Sequence, residues 1–600
     1  MAKSASPAVT TTEIDLTSVV PSVQSSTGAM VGNFRWGPVD QPVLVGNEGV
    51  LTETFGNPAD DTTAVDFVSA KQFLTYASTL YVTRSVTSAA TNATANQDAQ
   101  STALLIKNNA AYAAAISSFG SDSPSQDTGM FLAKYPGALG NGIQVSVFPA
   151  IDGDAAAQAT AFGNWTTGAS AGFPSSPGTS AWAKTQNSAT NDEVHVLVID
   201  RDGKFSGTVG AILETYAYLS VAKGAKTTDG GTNYLPDVIN SASEYVRFGY
   251  WDILTYKIVG TNWGQSPDLP SAGGTNFGSG TEFTPSTGNA DALISLSGGV
   301  DSGALEDSDI LLTNQVYADP ESIVVDFLIA PGMANTVDHK AVVGDLVSIA
   351  TSRKDCVVVA SPSRAAVVNN ADPVTATITE ANAIAASSYL FMENNYIKVL
   401  DKHNGRYIFI PAASTTAGIM AASDLGQGPW FSPAGQKRGQ YFGVVGLSYS
   451  ATKTQRDLLY NAGINPIVNL PGRGIMLFGD KTKESRPSAF DRINVRRLFL
   501  VVERAISLAA RNVMFEFNDE FTRAEFVNII EPFLREIKGR RGITDFYVQC
   551  DVTNNTPAVV DRNELIATVF IKPARSINFI TLNFVAVRTG VDFEEVVGTV

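Results

Sequence analysis

Cysteine and histidine are nearly absent from this 600-residue chain, which has two of the first, Cys356 and Cys550, and three of the second, His195, His339 and His403. Two cysteines far apart in sequence exclude a disulfide framework and a cysteine-rich metal site, and they fit assembly in a reducing compartment. The histidines lie in different predicted elements, with no HExxH and no close pair. Zinc and imidazole acid–base chemistry therefore lack support, and each histidine is expected at the surface or in a turn. Long apolar runs are missing too. The opening MAKSASPAVTTTEIDL has no apolar region of the kind a secretory signal needs, and no later run approaches the length of a membrane span, so a soluble, unexported protein is expected. Positive charge is short, with 42 Lys+Arg against 58 Asp+Glu and a net charge of −16. Nucleic acid is not the expected partner, because phosphate binding needs a basic footprint.

The hydrophobic content is ample for sizeable cores, and the length alone suggests roughly four domains. Charge is unevenly spread: residues 481–600 hold 17 Lys+Arg against 16 Asp+Glu, whereas residues 1–480 hold 25 against 42. One end is near neutral and Arg-rich and the rest acidic, which suits one face meeting a partner and another meeting water. Catalytic motifs fail on inspection. Gly474 to Thr482 nearly spells a P-loop, but Asp480 precedes the lysine, a carboxylate there repels phosphate, and the intervening residues read as strand. Gly168 to Gly172 spells GxSxG inside a loose Gly/Ala/Ser segment, without the strand before and helix after that a nucleophile elbow needs. Asp200 to Gly203 lacks the remaining ligands of a calcium loop and reads as a hairpin turn.

Residues 10–20 alternate as a strand with Ile14 and Leu16 on one face and no nearby hairpin partner, so this strand must join a sheet elsewhere in the chain or in another copy. Short β-like runs with turn signals follow, with a helix at 66–76 and a strand at 80–86. Residues 87–130 and 152–191 are rich in small and polar residues and read as surface insertions of weak core content, and 262–288 as a loop or linker. After Asp319 strands and helices alternate: strands at 322–330 and 356–360, helices at 335–352 and 375–388. This order implies a parallel sheet covered by helices. Asn404-Gly405 marks a hairpin between 395–400 and 406–410, 453–461 is a helix, and 464–469 and 474–478 are strands. The clearest periodicity is at 493–518, where apolar residues recur at helical spacing and Arg497, Arg504 and Arg511 line a solvated face seven residues apart. A second helix at 521–538, interrupted by Pro532, and strands at 546–548 and 565–571 complete an α+β C-terminal domain.

Several stretches, in order, carry a resemblance: 31–45 (VGNFRWGPVDQPVLV), Phe55-Gly56, 133–137 (AKYPG) with 140–142 (GNG), and 328–332 (LIAPG). They continue with 428–435 (GPWFSPAG), 460–467 (YNAGINPI), 495–498 (VRRL), 515–519 (FEFND) and Lys572-Pro573. With these the chain resembles the tail sheath proteins of contractile bacteriophages, and its size and insertions look most like the larger, T4-like sheaths. The resemblance implies a non-enzymatic mechanical subunit that polymerises as stacked hexameric rings around a tail tube and contracts to drive that tube through the host envelope. It implies partners in further copies of itself, the tube protein, and baseplate and tail terminator proteins, with no nucleic acid and no membrane. The implied location is the virion tail, after assembly in the host bacterial cytoplasm.

The resulting expectation is a multidomain α+β / α/β protein. It has an N-terminal arm at 1–22, a β-rich outer part at 23–318 carrying the insertions, an α/β domain at 319–482 with a mostly parallel sheet, an inner α+β domain at 483–587 and a C-terminal arm at 588–600. Ile14, Leu16, Val591 and Phe593 are expected to exchange strands between subunits, and Lys538, Arg540 and Arg541 to face the tube. No catalytic residue, cofactor or metal is expected. A baseplate or decoration protein would share the β-rich parts without needing both arms and the C-terminal block; a glycan-degrading tail enzyme would need a carboxylate pair in a cleft, and no motif selects one.

Overall fold

The computed structural model describes residues 25–95, 104–119, 128–150, 159–160, 162–163, 165, 172–185, 192–249, 292–332 and 338–578. The chain divides into two compact units, one of residues 24–428 and 433–496, the other containing 429–432 and the residues from Arg497 onward.

Gly28–Gly32 (GAMVG) is buried along its whole length and has no hairpin partner, the signature of a strand inside a parallel sheet. It lies between Leu80–Arg84 and Phe327–Ile329, parallel to both, with Gly28 opposite Leu80 on one side and Phe327 on the other. Val357–Ala360 and Leu390–Met392 extend the sheet in the same sense, and Pro42–Val45 closes the far edge antiparallel to Leu80–Arg84. Gly28 has no room for a side chain, because an added Cβ would lie 2.7 Å from the Phe73 ring. That ring belongs to helix Asp61–Leu74, which starts on a capping box between Asp60 and Thr63 and buries Phe67 and Phe73, worth roughly 2 kcal/mol each. Helix His339–Arg353 covers the sheet as well, through Val342, Val343, Leu346 and Ala350.

The expected boundary at 318/319 does not hold. Residues 28–84, assigned from sequence to a β-rich outer part, supply half of the α/β sheet; parallel strands carry no local pairing signal, so the pattern alone could not show it. The intervening chain forms a second layer, an antiparallel sheet ordered Ala211–Ser220, Glu193–Asp200, Ile143–Pro149, Ala292–Ser295, with the pair Phe131–Ala133 and Val246–Phe248 beside it. The hairpin at Asp200 to Gly203 is as expected: Gly203 adopts φ 69°, and the Asp200 carboxylate accepts from the backbone N–H groups of Lys204, Phe205 and Ser206.

The supposed insertions hold core. Ala90, Ala93, Ala95, Ile106, Tyr112 and Met130 are buried, and the Asn92 amide ties the backbone of Ile106 to that of Ala133. Trp165 is buried, stacked on Phe148 at 4.9 Å and Phe173 at 5.5 Å. Small residues look like loop in a sequence, yet here they let backbones approach: a Cβ on Gly140 would sit 2.8 Å from Ala133 and 3.1 Å from Ala93. The expected loop at 262–288 and most of the GxSxG stretch lie outside the described residues.

Arg84 joins the two layers. Its buried guanidinium donates to four carbonyls: from Nε to Phe34 at 2.7 Å, from Nη1 to Gly37 at 3.0 Å, and from Nη2 to Arg35 at 3.2 Å and Pro136 at 2.7 Å. Burial pulls its pKa down to about 9 while the Asp301 charge opposes that shift. The stretches 31–45 and 133–137 therefore meet on one side chain. Arg84→Met keeps the apolar stem and orphans the four carbonyls, so urea denaturation is expected to show a loss of about 3 kcal/mol; an unchanged midpoint would refute the clasp.

Candidate functional site

The C-terminal unit is built on two helices. In Ile493–Ala510 the buried residues Leu498, Val502, Ala505 and Ala509 keep the expected spacing. The helix stops at Ala510, short of the expected 518, and passes through the turn Arg511–Val513 to Phe515, whose φ of 72° is incompatible with a right-handed helix. The arginine face is also corrected, because Arg497 is buried, Arg504 half-buried and Arg511 exposed. Helix Glu520–Gly539 is capped by Asp519, which accepts from Thr522 N–H at 2.8 Å; that bond holds the carboxyl below its usual range. Its apolar stripe Phe526, Ile530, Leu534 and Ile537 packs onto Ile543 and Val548. Pro532 does not interrupt it. Pro532 and Asn528, whose carbonyl would lose its partner, both lie on the exposed face, where water can replace the bond.

The helix ends at a tight corner. Trp430 Nε1 donates to the Arg540 carbonyl at 3.1 Å, and the Arg540 guanidinium lies 4.9 Å from the Trp430 ring. A Cβ on Gly542 would come within 2.7 Å of Ile537 and 2.9 Å of Trp430, so only glycine fits. Trp430, read from sequence as part of the α/β domain, thus belongs to the C-terminal unit. Lys538, Arg540 and Arg541 come together here, all exposed. Lys538 pairs with Asp545 at 3.0 Å and Arg540 with Glu536 at 3.5 Å, while Arg541, at φ 67°, makes no ion pair among the described residues. Lys538 in turn holds the Asp545 carboxyl below its usual range.

Beyond the corner, Ile543–Gln549 and Thr568–Pro573 form an antiparallel sheet of two strands, and among the described residues neither outer edge is paired. Tyr547 and Phe570 stand opposite each other on its outer face, ring centroids 6.1 Å apart and more than half exposed. The proposed strand-exchange residues Ile14, Leu16, Val591 and Phe593 lie outside the described residues. Sequence reasoning missed the exposed Phe515 and Phe517; the alternation FEFN was the available signal.

The candidate catalytic groups are placed otherwise than expected. His195 and His339 are buried, against the surface or turn reading. His195 stacks on Phe173 at 4.2 Å and accepts at Nδ1 from Tyr218 N–H, which leaves Nε2 to donate to the Ser175 carbonyl; burial lowers its pKa. His339 Nε2 meets the Ser361 carbonyl at 2.6 Å, and His403, half-buried, lies 3.7 Å from Glu48. A neutral imidazole can satisfy a backbone group inside a core, which composition does not reveal. Gly474–Leu477 is a strand paired with Ile467–Leu470, as expected, and Asp480 is bonded to Arg492 at 2.8 Å. Among the described residues no group of three or more His, Cys, Asp or Glu is placed to hold a metal ion, and no helix is long and apolar enough to cross a membrane.

The chain matches three family models: the tail sheath protein Gp18 domain III N-terminal region over residues 25–84, the phage tail sheath protein central domain over 312–483, and the phage tail sheath C-terminal domain over 485–586. It is 32% identical to the tail sheath protein of Enterobacteria phage T4 and 30% identical to that of Vibrio phage KVP40, each match covering 99% of both chains. The fold is similar to that of a sheath tail protein from Listeria innocua, with a TM-score of 0.50, 12% identity, and coverage of 92% of this chain and 96% of that one. The chain belongs to the phage tail sheath protein family, and it is a structural subunit of a contractile tail sheath.

One acidic group still has the setting of a catalytic residue. Glu393 lies just past the end of strand Leu390–Met392, where open parallel sheets place their sites. It is fully buried, and its oxygens accept from the hydroxyls of Ser361, at 2.6 Å, and Thr416. Burial pushes its pKa up to about 8 and that of Asp66, held by the N–H groups of Asn33 and Gly332, up to about 7. A carboxyl raised in the folded state costs nothing below its unfolded pKa and destabilises as pH rises through the folded value. Thermal melts are expected to fall between pH 5 and pH 9, and Glu393→Gln to flatten part of that fall; a parallel slope in the variant would show that Glu393 is not buried as an acid.

Proposed function

We propose that this subunit polymerises as stacked hexameric rings around a tail tube and contracts to drive the tube through the host envelope, joined to its neighbours by strand addition. The observation that carries this reading is the two-stranded sheet Ile543–Gln549/Thr568–Pro573. Two strands are marginal alone, and unpaired edges accept a further strand through main-chain hydrogen bonds. In this reading the donors are the arms 1–22 and 588–600, with Ile14 and Leu16 in one and Val591 and Phe593 in the other. Such links hold subunits together while rings turn as rigid bodies. An extended state that is metastable relative to a better-buried contracted one needs no fuel. The acidic bulk of residues 1–480 is placed outward and the Arg-rich end inward, near the tube. The further partners are baseplate and tail terminator proteins, the site of assembly is the host cytoplasm, and no cofactor takes part.

Lys538, Arg540 and Arg541 are assigned to the tube side. Acids at the start of helix Glu520–Gly539 and bases at its end also suit the helix dipole. A ring of exposed, individually weak and salt-screened pairs nevertheless fits a grip that must hold register and then let go.

Two measurements test this. Removal of residues 1–20 is expected to leave a folded subunit whose melt in the unassembled state is unchanged and that makes no long polymers in negative-stain micrographs; long hollow polymers from the truncated chain would refute the arm assignment. Replacing Lys538, Arg540 and Arg541 together by Glu is expected to spare sheath self-assembly and abolish co-assembly with tubes, whereas normal sheathing at low and high salt would remove this cluster from the tube interface.

A further inference from the structure

The loop between the two C-terminal helices presents its apolar side chains to water. Met514 is 57% exposed, Phe515 100%, Phe517 85% and Phe521 78%. Monomeric soluble proteins seldom display so many large apolar groups in one short stretch unless something covers them. The loop is also held in place. Arg523 donates to the Asn518 carbonyl and to its side-chain oxygen, the latter at 2.7 Å, and Asn518 Nδ2 donates to the Glu564 carbonyl at 2.7 Å. Phe515 is kept in the left-handed region, which bulky side chains rarely adopt and which is retained where the surroundings over-determine it. Acidic residues rim the aromatics, with Glu516, Asp519 and Glu520 all exposed and no Lys or Arg between Arg511 and Arg523.

The complementary surface is on the same unit. The outer face of the two-stranded sheet carries the exposed Tyr547–Phe570 pair, and the next cross-strand pair along it is Asp545–Lys572. Because Lys538 already pairs with Asp545, the face is basic in balance, and Lys572 is exposed beside the aromatics. Phe515, being wholly exposed, does not rest on this face within its own chain.

We propose that the 514–521 loop of one subunit seats on the Tyr547–Phe570 face of a second copy, Phe515 and Phe517 against the two rings and Glu516 toward Lys572. Loop and face are different surfaces, and we place them head-to-tail, each copy offering its loop to one neighbour and its face to another. Such contacts propagate into a ring or a helix rather than closing as a two-fold dimer. It is a side-chain contact distinct from strand addition at the sheet edges, and it rests on the reading that the chain polymerises.

The full-length chain with p-benzoyl-phenylalanine in place of Phe517 is mixed with isotope-labelled unsubstituted chain, assembled with and without tubes, and irradiated. The unsubstituted chain alone, run alongside, reports on polymerisation itself. Cross-linked peptides are expected to join position 517 of one copy to residues 543–573 of another. Adducts to residues 1–24 or 579–600 of a neighbour, to a second 514–521 loop or to the tube protein would overturn the proposal, as would polymers that form without any adduct. As an independent arm, Glu516→Lys is expected to slow assembly several-fold with an unchanged melt, and adding Lys572→Glu to restore it. A single variant that assembles normally, or a double variant without rescue, would equally overturn it.

Discussion

The constraint on which the larger unit depends is that Gly28–Gly32 lies between one strand about fifty residues away and another about three hundred residues away, parallel to both. A strand so placed fixes where the chain must return. Everything from Ser85 to Asp326 leaves the sheet at Leu80–Arg84 and re-enters it two strands over, at Phe327–Ile329, so the whole antiparallel layer is an excursion between near neighbours of one sheet. Closing so long an excursion costs only slightly more entropy than closing a short one. What it requires is that the base of the excursion be held. Arg84, the last residue of the exit strand, does this with its four carbonyls, and Thr87 and Ser302, near the two ends of the excursion, bond each other's backbone.

That topology explains which parts could be read from the sequence. Helix Lys453–Asn461 matches its expected limits, and the hairpin at Asn404-Gly405 and the helix at Glu520 fall close to theirs, because caps, turn glycines and apolar stripes are local signals. The parallel sheet was legible only in its second half, where strands and helices alternate; its first half looked like part of a β-rich region because Gly28–Gly32 meets its two partners about fifty and about three hundred residues on. Composition misled where residues are small. Ala93 read as part of a surface insertion and acts as close-packed core, with Gly140 set against it. Of the candidate site, the basic cluster was visible as charge at a helix end, but its partial neutralisation by Asp545 and Glu536 depends on the folded corner and leaves no trace in spacing.

The polar interior of the larger unit has the character of bracing. Arg84 sits on carbonyls, Glu393 on hydroxyls, Asp66 on two amides and Arg353 on the carbonyls of Tyr317, Asp319 and Ile323 with Asp355 beside it. Each of these buried groups is satisfied largely by backbone or by neutral side chains. Such contacts specify geometry strongly, because any shift strands a polar group in a low dielectric. A subunit that must transmit force needs layers that move as one piece, and interlocked buried polar groups supply that stiffness where an apolar core alone would allow repacking.

The C-terminal unit is made on the opposite plan. Among the described residues its sheet has two strands, the ion pairs Lys538–Asp545 and Arg540–Glu536 are exposed, and large aromatic groups face water at Phe515, Phe517, Phe521, Tyr547 and Phe570. Its core, Leu498, Val502, Phe526, Ile530 and Leu534, is enough to set two helices against a hairpin, yet much of its aromatic surface stays uncovered. An isolated domain gains nothing from that arrangement, since apolar area left in water contributes no stability. A domain whose burial is completed by other chains draws part of its free energy from assembly, so the order of the polymer and the stability of the subunit become one equilibrium. The same physics suits a contractile lattice: bonds that are exposed, weak and numerous can be exchanged as a set while the braced unit attached to them keeps its shape.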